Sequence, residues 1–145
     1  MKIIFYTFGD IKNAELKALS RYYLTLNRKY HTLDLTTLKD TSQRRIGFAQ
    51  VEKRFSAGLN IVLSERGQSY TTRDFAGQID RYSARGLRLN FYVGNAFGFT
   101  DEVEKKADLL LSLSSMTTAH ELALVVMLEQ LYRVSNLLAG GKYHK

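Results

Sequence analysis

The sequence predicts a single α/β domain, residues 1–145, in which a mainly parallel sheet carries helices on both faces. Short apolar segments alternate along the whole chain with segments of helical periodicity. Such alternation favours parallel strands that are joined by helical crossovers. No linker, repeat or low-complexity segment interrupts the 145 residues, and a chain of this length can bury a core of its own.

The first part of the chain predicts two strands and two helices. Residues 2–8 form an apolar strand, after which Asp10 can cap a helix. Apolar residues at helical spacing predict about five turns of helix, and these are Ile11, Leu16, Leu19, Tyr23, Leu26 and Tyr30. Residues 31–38 alternate and predict a second strand, and residues 44–57 predict a basic helix that ends at Gly58.

The middle of the chain predicts three further strands and two helices. Residues 59–63 form a short apolar strand that leads into a polar turn at 64–69. Thr72 can cap a helix that reaches about residue 84, and residues 88–93 form the next strand. Thr100 can cap a short acidic helix that extends to Ala107, and residues 109–113 form the last strand.

The last helix is predicted to be long and apolar around most of its circumference. Residues 119–139 contain neither proline nor glycine, and residues 122–128 are apolar without a break. Such a helix needs cover on more than one side. The sheet can supply one side, and a second copy of the chain is the simplest cover for the other.

The loops at the carboxyl ends of three strands predict a small-molecule site. They follow Leu63, Val93 and Leu113, and ligands of parallel α/β sheets bind at this edge. The loop before the last helix also offers backbone N–H groups and hydroxyls at a helix N-terminus, which suit a carboxylate or another anion.

The positive charge of the chain lies almost wholly in its first part. The net charge is +7, and residues 1–58 hold eleven Lys and Arg against five Asp and Glu, whereas residues 59–145 hold ten against nine. A polyanion such as RNA fits that surface, and a basic surface without a partner explains it equally well.

Composition also excludes several kinds of site. The chain has no cysteine, hence no disulfide and no thiolate metal site, and no histidine–carboxylate spacing predicts a metal. No apolar run has membrane-spanning length, and the first residues lack the apolar region of a signal peptide. We therefore expect a cytoplasmic protein that uses neither a metal nor a membrane.

Single motifs favour structural roles when they are taken alone. Gly94-x-x-x-Gly98 lacks the spacing of a dinucleotide fingerprint and indicates a strand-to-helix turn. His120 is interpreted as a helix-terminal residue that holds the preceding loop. Glu129, Gln130, Tyr132 and Arg133 are interpreted as a polar cluster in a dimer contact, and residues 143–145 as a frayed end.

Taken together and in order, these motifs resemble a known family. They are Leu63-Ser-Glu-x-Gly67, Phe91-Tyr-Val-Gly94 with Gly98, the run from Leu111 to Thr117, His120, Leu128-Glu-Gln-Leu-Tyr-Arg133 and the terminal Tyr143-His144-Lys145. The chain resembles the ribosomal large-subunit pseudouridine N3-methyltransferases of the SPOUT class, the YbeA-like proteins. The likeness runs from residue 1 to the terminus and is most specific after Leu59.

The resemblance implies a fold and a reaction that composition and spacing do not reveal. It implies a deep trefoil knot in the C-terminal part and a homodimer in which the tail of one subunit completes the site of the other. It implies methyl transfer from S-adenosyl-L-methionine to N3 of a pseudouridine in ribosomal RNA of the large subunit.

The resemblance also assigns roles to residues of this sequence. The cofactor contacts would be Leu63, Gly94, Asn95, Gly98, Leu113, Ser114, Ser115, Met116, Thr117 and Thr118. In the tail, His144 would accept the N3 proton or orient the base, and Tyr143 would stack on the base or hold the tail. The RNA contacts would be Lys12, Arg21, Arg44, Arg45 and Lys142.

The sequence departs from the family pattern at three positions. Asn95 replaces a glycine, and asparagine tolerates a positive φ better than most residues. Ala119 replaces a proline, and Leu124 replaces an arginine that could contact RNA or the tail. These departures leave two alternatives open: an RNA- or ribosome-binding module that keeps the fold with weak or no catalysis, and a SPOUT methyltransferase with another RNA target.

Overall fold

The computed structural model describes residues 1–145 and contains a five-stranded parallel sheet of order β2-β1-β4-β3-β5. Every pair of neighbouring strands is parallel, which confirms the predicted α/β class. The strands are β1 (Lys2–Phe8), β2 (Thr32–Leu38), β3 (Leu59–Ser69), β4 (Leu89–Val93) and β5 (Leu109–Ser112). The helices are α1 (Ala14–Asn27), α2 (Glu52–Phe55), α3 (Thr72–Ala84), α4 (Asp101–Lys106) and α5 (His120–Leu138).

Alternation along the strands sends side chains to two cores, one on each face of the sheet. In β1, Ile3 and Phe5 belong to the larger core, which α1, α3 and α5 cover. Ile4, Tyr6 and Phe8 of the same strand belong to the smaller core under α2 and α4. Helices therefore cover both faces, as the alternation of elements predicts.

The helix caps differ slightly from those that the sequence predicts. The cap of α1 is Asn13, whose side chain accepts the N–H of Leu16 at 3.0 Å, so the helix begins later than a cap at Asp10 implied. The cap of α3 is Thr71 in place of Thr72. Thr100 precedes α4 as predicted, but its hydroxyl makes no capping hydrogen bond.

The basic helix predicted over residues 44–57 is wrong as a continuous element. The segment contains only a 3₁₀ turn, Phe48–Gln50, and the single turn of α2. Ile46 instead bonds the loop after β4, donating its N–H to Gly98 O at 2.9 Å and accepting from Thr100 N at 3.0 Å. These tertiary hydrogen bonds replace helical ones at Ile46, and the residues before it, 42–44, form a bend in which Gln43 has a positive φ.

The polar turn predicted at residues 64–69 is also wrong, because β3 continues to Ser69. Leu63 and Gln68 both face Leu111, so residues 64–67 leave the ladder and return to it. Gly67 permits this detour, since a Cβ at that position would lie 2.5 Å from the carbonyl oxygen of Leu110.

Helix α5 is the long helix that the sequence predicts. It packs against α1 and α3, and its side chains Met127, Leu128 and Leu131 are fully buried. Leu122 and Val126 keep 42% and 36% of their surface exposed, so part of the apolar circumference has no cover within the chain. Leu124, one of the three residues that depart from the family pattern, is 1% exposed in the larger core.

Candidate functional site

A cavity of about 350 Å³ lies at the carboxyl edge of the sheet, where the loops after β3, β4 and β5 meet. Its volume lies within the range of small-ligand sites. All the residues that the resemblance assigned to cofactor contact, except Ser115, line this cavity. The three loops that the strand-end argument selected therefore meet around one cavity.

The turn that follows β4 forms one wall of the cavity and is organised by Asn95. This side chain is 8% exposed. Its Nδ2 donates to Asp40 Oδ1 at 3.0 Å, to Thr41 Oγ1 at 2.9 Å and to the carbonyl oxygen of Arg44 at 3.1 Å. Its Oδ1 accepts the N–H groups of Phe97 and Gly98, at 2.9 and 3.1 Å.

Because its own φ is negative, Asn95 does not need the tolerance of a positive φ that asparagine offers. Gly98 takes that conformation in this turn, with φ of +78°, and Gln43 is the one non-glycine residue with a positive φ. The amide of Asn95 joins the turn to residues 40–44. The side chain of asparagine, and not its backbone freedom, therefore explains the residue at this position.

The loop between β5 and α5 forms the opposite wall and presents unpaired donors. Ser112 Oγ donates to Ser114 O at 2.9 Å, and Ser114 Oγ accepts the N–H of Met116 at 3.0 Å. Apart from Met116, the backbone N–H groups from Leu113 to Ala119 donate no hydrogen bond within the chain. They can therefore bind the acceptor atoms of a polar ligand.

Charged residues stand at the rim of the cavity. Arg66 donates two hydrogen bonds to Glu104, Nε to Oε1 at 3.0 Å and Nη2 to Oε2 at 2.7 Å, and this pair raises the pKa of Arg66 above its ordinary value. The hydroxyl of Thr117 donates to the carboxylate of Glu65, which ties the β5–α5 loop to the β3 detour. The sequence placed Glu65 and Arg66 in a polar turn with no predicted function, and no pattern indicated a role for Glu104.

His120 lies in the wall of the same cavity, at the first turn of α5. Its Nε2 is 3.8 Å from Glu121 Oε2. The other carboxylate oxygen of Glu121 accepts the N–H groups of Lys12 and Asn13, at 2.9 and 3.0 Å, so this residue fastens α5 to the start of α1. The sequence favoured a structural role for His120. Because the residue lines the cavity, it can also contact a ligand that binds there.

The C-terminal tail is folded on α5, so the frayed end predicted from the residues alone is wrong. Tyr143 donates its hydroxyl to Glu129 Oε1 at 3.0 Å, and its N–H to Asn136 Oδ1 at 3.0 Å. The guanidinium of Arg133 lies 4.5 Å from the centre of the Tyr143 ring. Partial burial and the bond to Glu129 raise the pKa of Tyr143, which keeps the phenol protonated.

The structure does not bring Tyr143 and His144 to the cavity of their own subunit. Tyr143 is tied to Glu129, nine residues beyond His120 in α5. Nine residues of helix correspond to about 13 Å along the axis. His144 is half-buried, and its Nδ1 makes no hydrogen bond.

The basic residues assigned to RNA are all exposed, but they occupy different surfaces. Lys12 lies just before α1, Arg21 lies on α1, and Lys142 lies in the tail. Arg44 and Arg45 lie in the loop that Asn95 holds beside the cavity. Arg45 has a distant carboxylate partner, Asp101 at 3.9 Å.

The structure offers no group of three or more His, Asp or Glu side chains arranged to hold a metal ion. None of its helices combines the length and the apolar character that crossing a lipid bilayer requires.

Comparison with known proteins identifies the family to which the chain belongs. Residues 1–144 match a family model described as "Predicted SPOUT methyltransferase". The chain is 32% identical over 152 residues to Ribosomal RNA large subunit methyltransferase H of Maridesulfovibrio salexigens, covering 99% of this chain and 97% of that protein. It is 39% identical over 123 residues to the protein of that name from Thermus thermophilus, covering 85% and 83%.

Among solved structures, the fold is similar to a probable methylase family protein from Haemophilus influenzae Rd KW20. The TM-score is 0.65 at 14% identity, over 99% of this chain and 70% of that one. At that identity the likeness concerns the fold alone.

Proposed function

The chain belongs to the SPOUT methyltransferase family, and from this premise we propose that it methylates N3 of a pseudouridine in large-subunit ribosomal RNA, with S-adenosyl-L-methionine as the methyl donor. The observation that carries the proposal is the cavity that the three loops build, together with full-length similarity to relatives named as ribosomal RNA large subunit methyltransferases. An enzyme of this kind would act in the cytoplasm on the ribosome or its RNA.

The cavity suits the donor in size and in chemistry. Leu63, Leu113 and Ala123 give it apolar surface for a nucleoside, and the free N–H groups of residues 113–119, all but that of Met116, give donors for ring nitrogens or a carboxylate. Bound there, S-adenosyl-L-methionine supplies a methyl group that a positively charged sulfur already activates. The protein therefore has mainly to align the two reactants and to exclude water.

The acceptor nitrogen must lose its proton as the new bond to carbon forms. We assign this proton to His144, whose Nδ1 is buried in the single chain without a hydrogen-bond partner and would have to meet the base at a partner's cavity. Tyr143 is a poor base because its pKa is raised, so its role is to orient the tail or to stack on the base.

A homodimer reconciles the position of the tail with that role. Leu122, Val126 and Arg133 lie at helical spacing on α5, and the tail is bound on the same stretch of that helix. Two copies that pack through the exposed part of α5 and α1 in opposite directions would bring each tail toward the partner's cavity. The trefoil knot belongs to the same proposal, with the chain after β5 passing through the loops that build the cavity.

Methylation of large ribosomal subunits from cells that lack the protein tests this function. We expect transfer from labelled S-adenosyl-L-methionine, with digestion and mass spectrometry locating the label on N3 of a pseudouridine. Absence of transfer would contradict the proposed activity, and label on another nucleotide would contradict the proposed target.

A further inference from the structure

Phe97 is an exposed aromatic ring at the mouth of the cavity. It lines the cavity, yet 52% of its surface is exposed. A single exposed apolar residue on a protein surface needs no explanation. Phe97 differs because its backbone is fixed, and because it lies where the donor cavity opens to a substrate.

The turn that presents Phe97 is held from both sides. Its N–H is bound by Asn95 Oδ1 at 2.9 Å, and Gly98, the next residue, donates to both the side chain and the carbonyl oxygen of Asn95, each at 3.1 Å. The carbonyl of Gly98 in turn accepts from Ile46 N at 2.9 Å. The backbone that carries the ring is therefore fixed before any ligand binds, which lowers the entropic cost of binding.

A cationic loop belongs to the same rigid unit. Asn95 Nδ2 donates to the carbonyl oxygen of Arg44, and both Arg44 and Arg45 are exposed. The turn thus carries an exposed aromatic ring, and the loop fastened to it carries two exposed arginines, of which Arg45 has Asp101 Oδ1 at 3.9 Å. This combination matches single-stranded nucleic acid, in which bases stack on aromatic rings while cations bind the phosphates.

We infer that Phe97 is the stacking platform for the nucleobase that receives the methyl group, with Arg44 and Arg45 binding the phosphates that flank it. The inference rests on the proposed function and adds a contact that orients the acceptor. A ring nitrogen inside a stacked helix is inaccessible to a donor in this cavity, so the base must leave its stack. A face-to-face contact with Phe97 replaces the stacking that the base loses.

The experiment compares Phe97→Leu and Phe97→Tyr with the wild type. Leucine keeps an apolar side chain of similar reach but has no π-face, whereas tyrosine keeps the face. For each protein we measure the Kd of S-adenosyl-L-methionine by calorimetry, the dimer dissociation constant by sedimentation, and the KM for large ribosomal subunits that lack the modification.

We expect Phe97→Leu to raise KM for the ribosomal substrate about tenfold, as loss of one base–aromatic contact does. Phe97→Tyr should stay near the wild-type KM, and both variants should keep the wild-type donor Kd and dimer constant. This pattern is one that a purely structural role would not produce.

Three results overturn the inference while leaving the function intact. The first is an unchanged KM in Phe97→Leu. The second is a matching loss of donor affinity, which would place the ring against S-adenosyl-L-methionine. The third is a weakened dimer, which would place the ring against a second copy of the chain. Failure of the wild type to methylate the substrate overturns the proposed function and this inference together.

Discussion

At the scale of single residues, Asn95 shows how a departure from a family pattern can be absorbed. A glycine at that position would have no side chain to join the β4 turn to residues 40–44. The two N–H groups of the amide have three acceptors within reach and its oxygen accepts two hydrogen bonds, so each polar atom of this nearly buried side chain is satisfied. Its presence therefore gives no reason to expect a damaged site.

His31 joins the start of β2 to α5 and is expected to make stability depend on pH. Its Nε2 lies 2.7 Å from Ser135 Oγ, and Ser135 donates its hydroxyl proton to Leu131 O at 2.7 Å. The Nε2–H of a neutral imidazole is then the donor to Ser135, and Nδ1 has no partner. Burial lowers the pKa of His31 to about 4.

The sign of the pH effect follows from that shift. The unfolded chain binds a proton at His31 below a pH of about 6.5, whereas the folded chain does so only near 4. The contribution of neutral His31 is thus complete above pH 6.5 and is lost as the pH falls toward 4. Urea unfolding should show the wild type losing more stability than His31→Gln between pH 7 and pH 4.5, and parallel curves for the two proteins would contradict this.

At the scale of elements, the regular helices and strands follow from the sequence, whereas two segments do not. The hydrophobic pattern located all five strands, most clearly β1 and β4, which are buried along nearly their whole length and stand out as apolar runs. It failed at residues 44–57, where Asn95 and Gly98 bind the backbone from outside. It failed again at residues 64–69, where pairing with β5 resumes after a detour. In both segments the structure depends on hydrogen-bond partners that are distant in sequence, and a local sequence pattern contains no information about such partners.

The loops of the candidate site could be predicted from the sequence, whereas some of its side chains could not. The rule that ligands bind at the carboxyl edge of parallel strands selected the three loops that line the cavity, without knowledge of any contact. Glu104 and Phe97 could not be selected, since the first is distinguished only by its tertiary pairing with Arg66 and the second only by its exposure.

Gly67 gives a test of the detour in β3. A Cβ there would lie 2.5 Å from Leu110 O and 2.8 Å from Leu111 N, which are backbone atoms of β5 that cannot move aside locally. We expect Gly67→Ala to destabilise the protein by about 2 kcal/mol or more, because it separates β3 from β5. Thermal or urea unfolding measures the loss.

Gly77, inside α3, is the matched control for that substitution. The nearest atom to a Cβ there is Arg81 Nη1 at 3.8 Å, at the end of a flexible side chain. Gly77→Ala should therefore stabilise the protein by about 0.5–1 kcal/mol through helix propensity. Equal effects of the two substitutions would contradict the assigned role of the detour.

At the scale of the whole molecule, the cavity and the tail are separate parts that a dimer would combine. Deletion of residues 143–145 should leave donor binding intact and abolish methylation, because the cavity is built without the tail. Ala123→Leu, which places a larger side chain in the cavity wall, should instead block the donor. Each altered chain alone should be inactive.

Co-expression of these two chains distinguishes action in the same subunit from action across the dimer. A mixed dimer has one intact cavity on the shortened chain and one intact tail on the other. We expect methylation of the ribosomal substrate to return in the mixed dimer. A mixture that forms dimers and stays inactive would show that each tail serves its own cavity.

Calorimetric titration of S-adenosyl-L-methionine into the wild type, Ala123→Leu and the exposed control Ala18→Leu tests most directly whether the three loops hold the methyl donor. We expect a micromolar Kd, about −8 kcal/mol, for the wild type and for Ala18→Leu, and a Kd at least about tenfold weaker for Ala123→Leu. No binding to the folded wild type, or equal affinity in all three proteins, would contradict the assignment of the cavity.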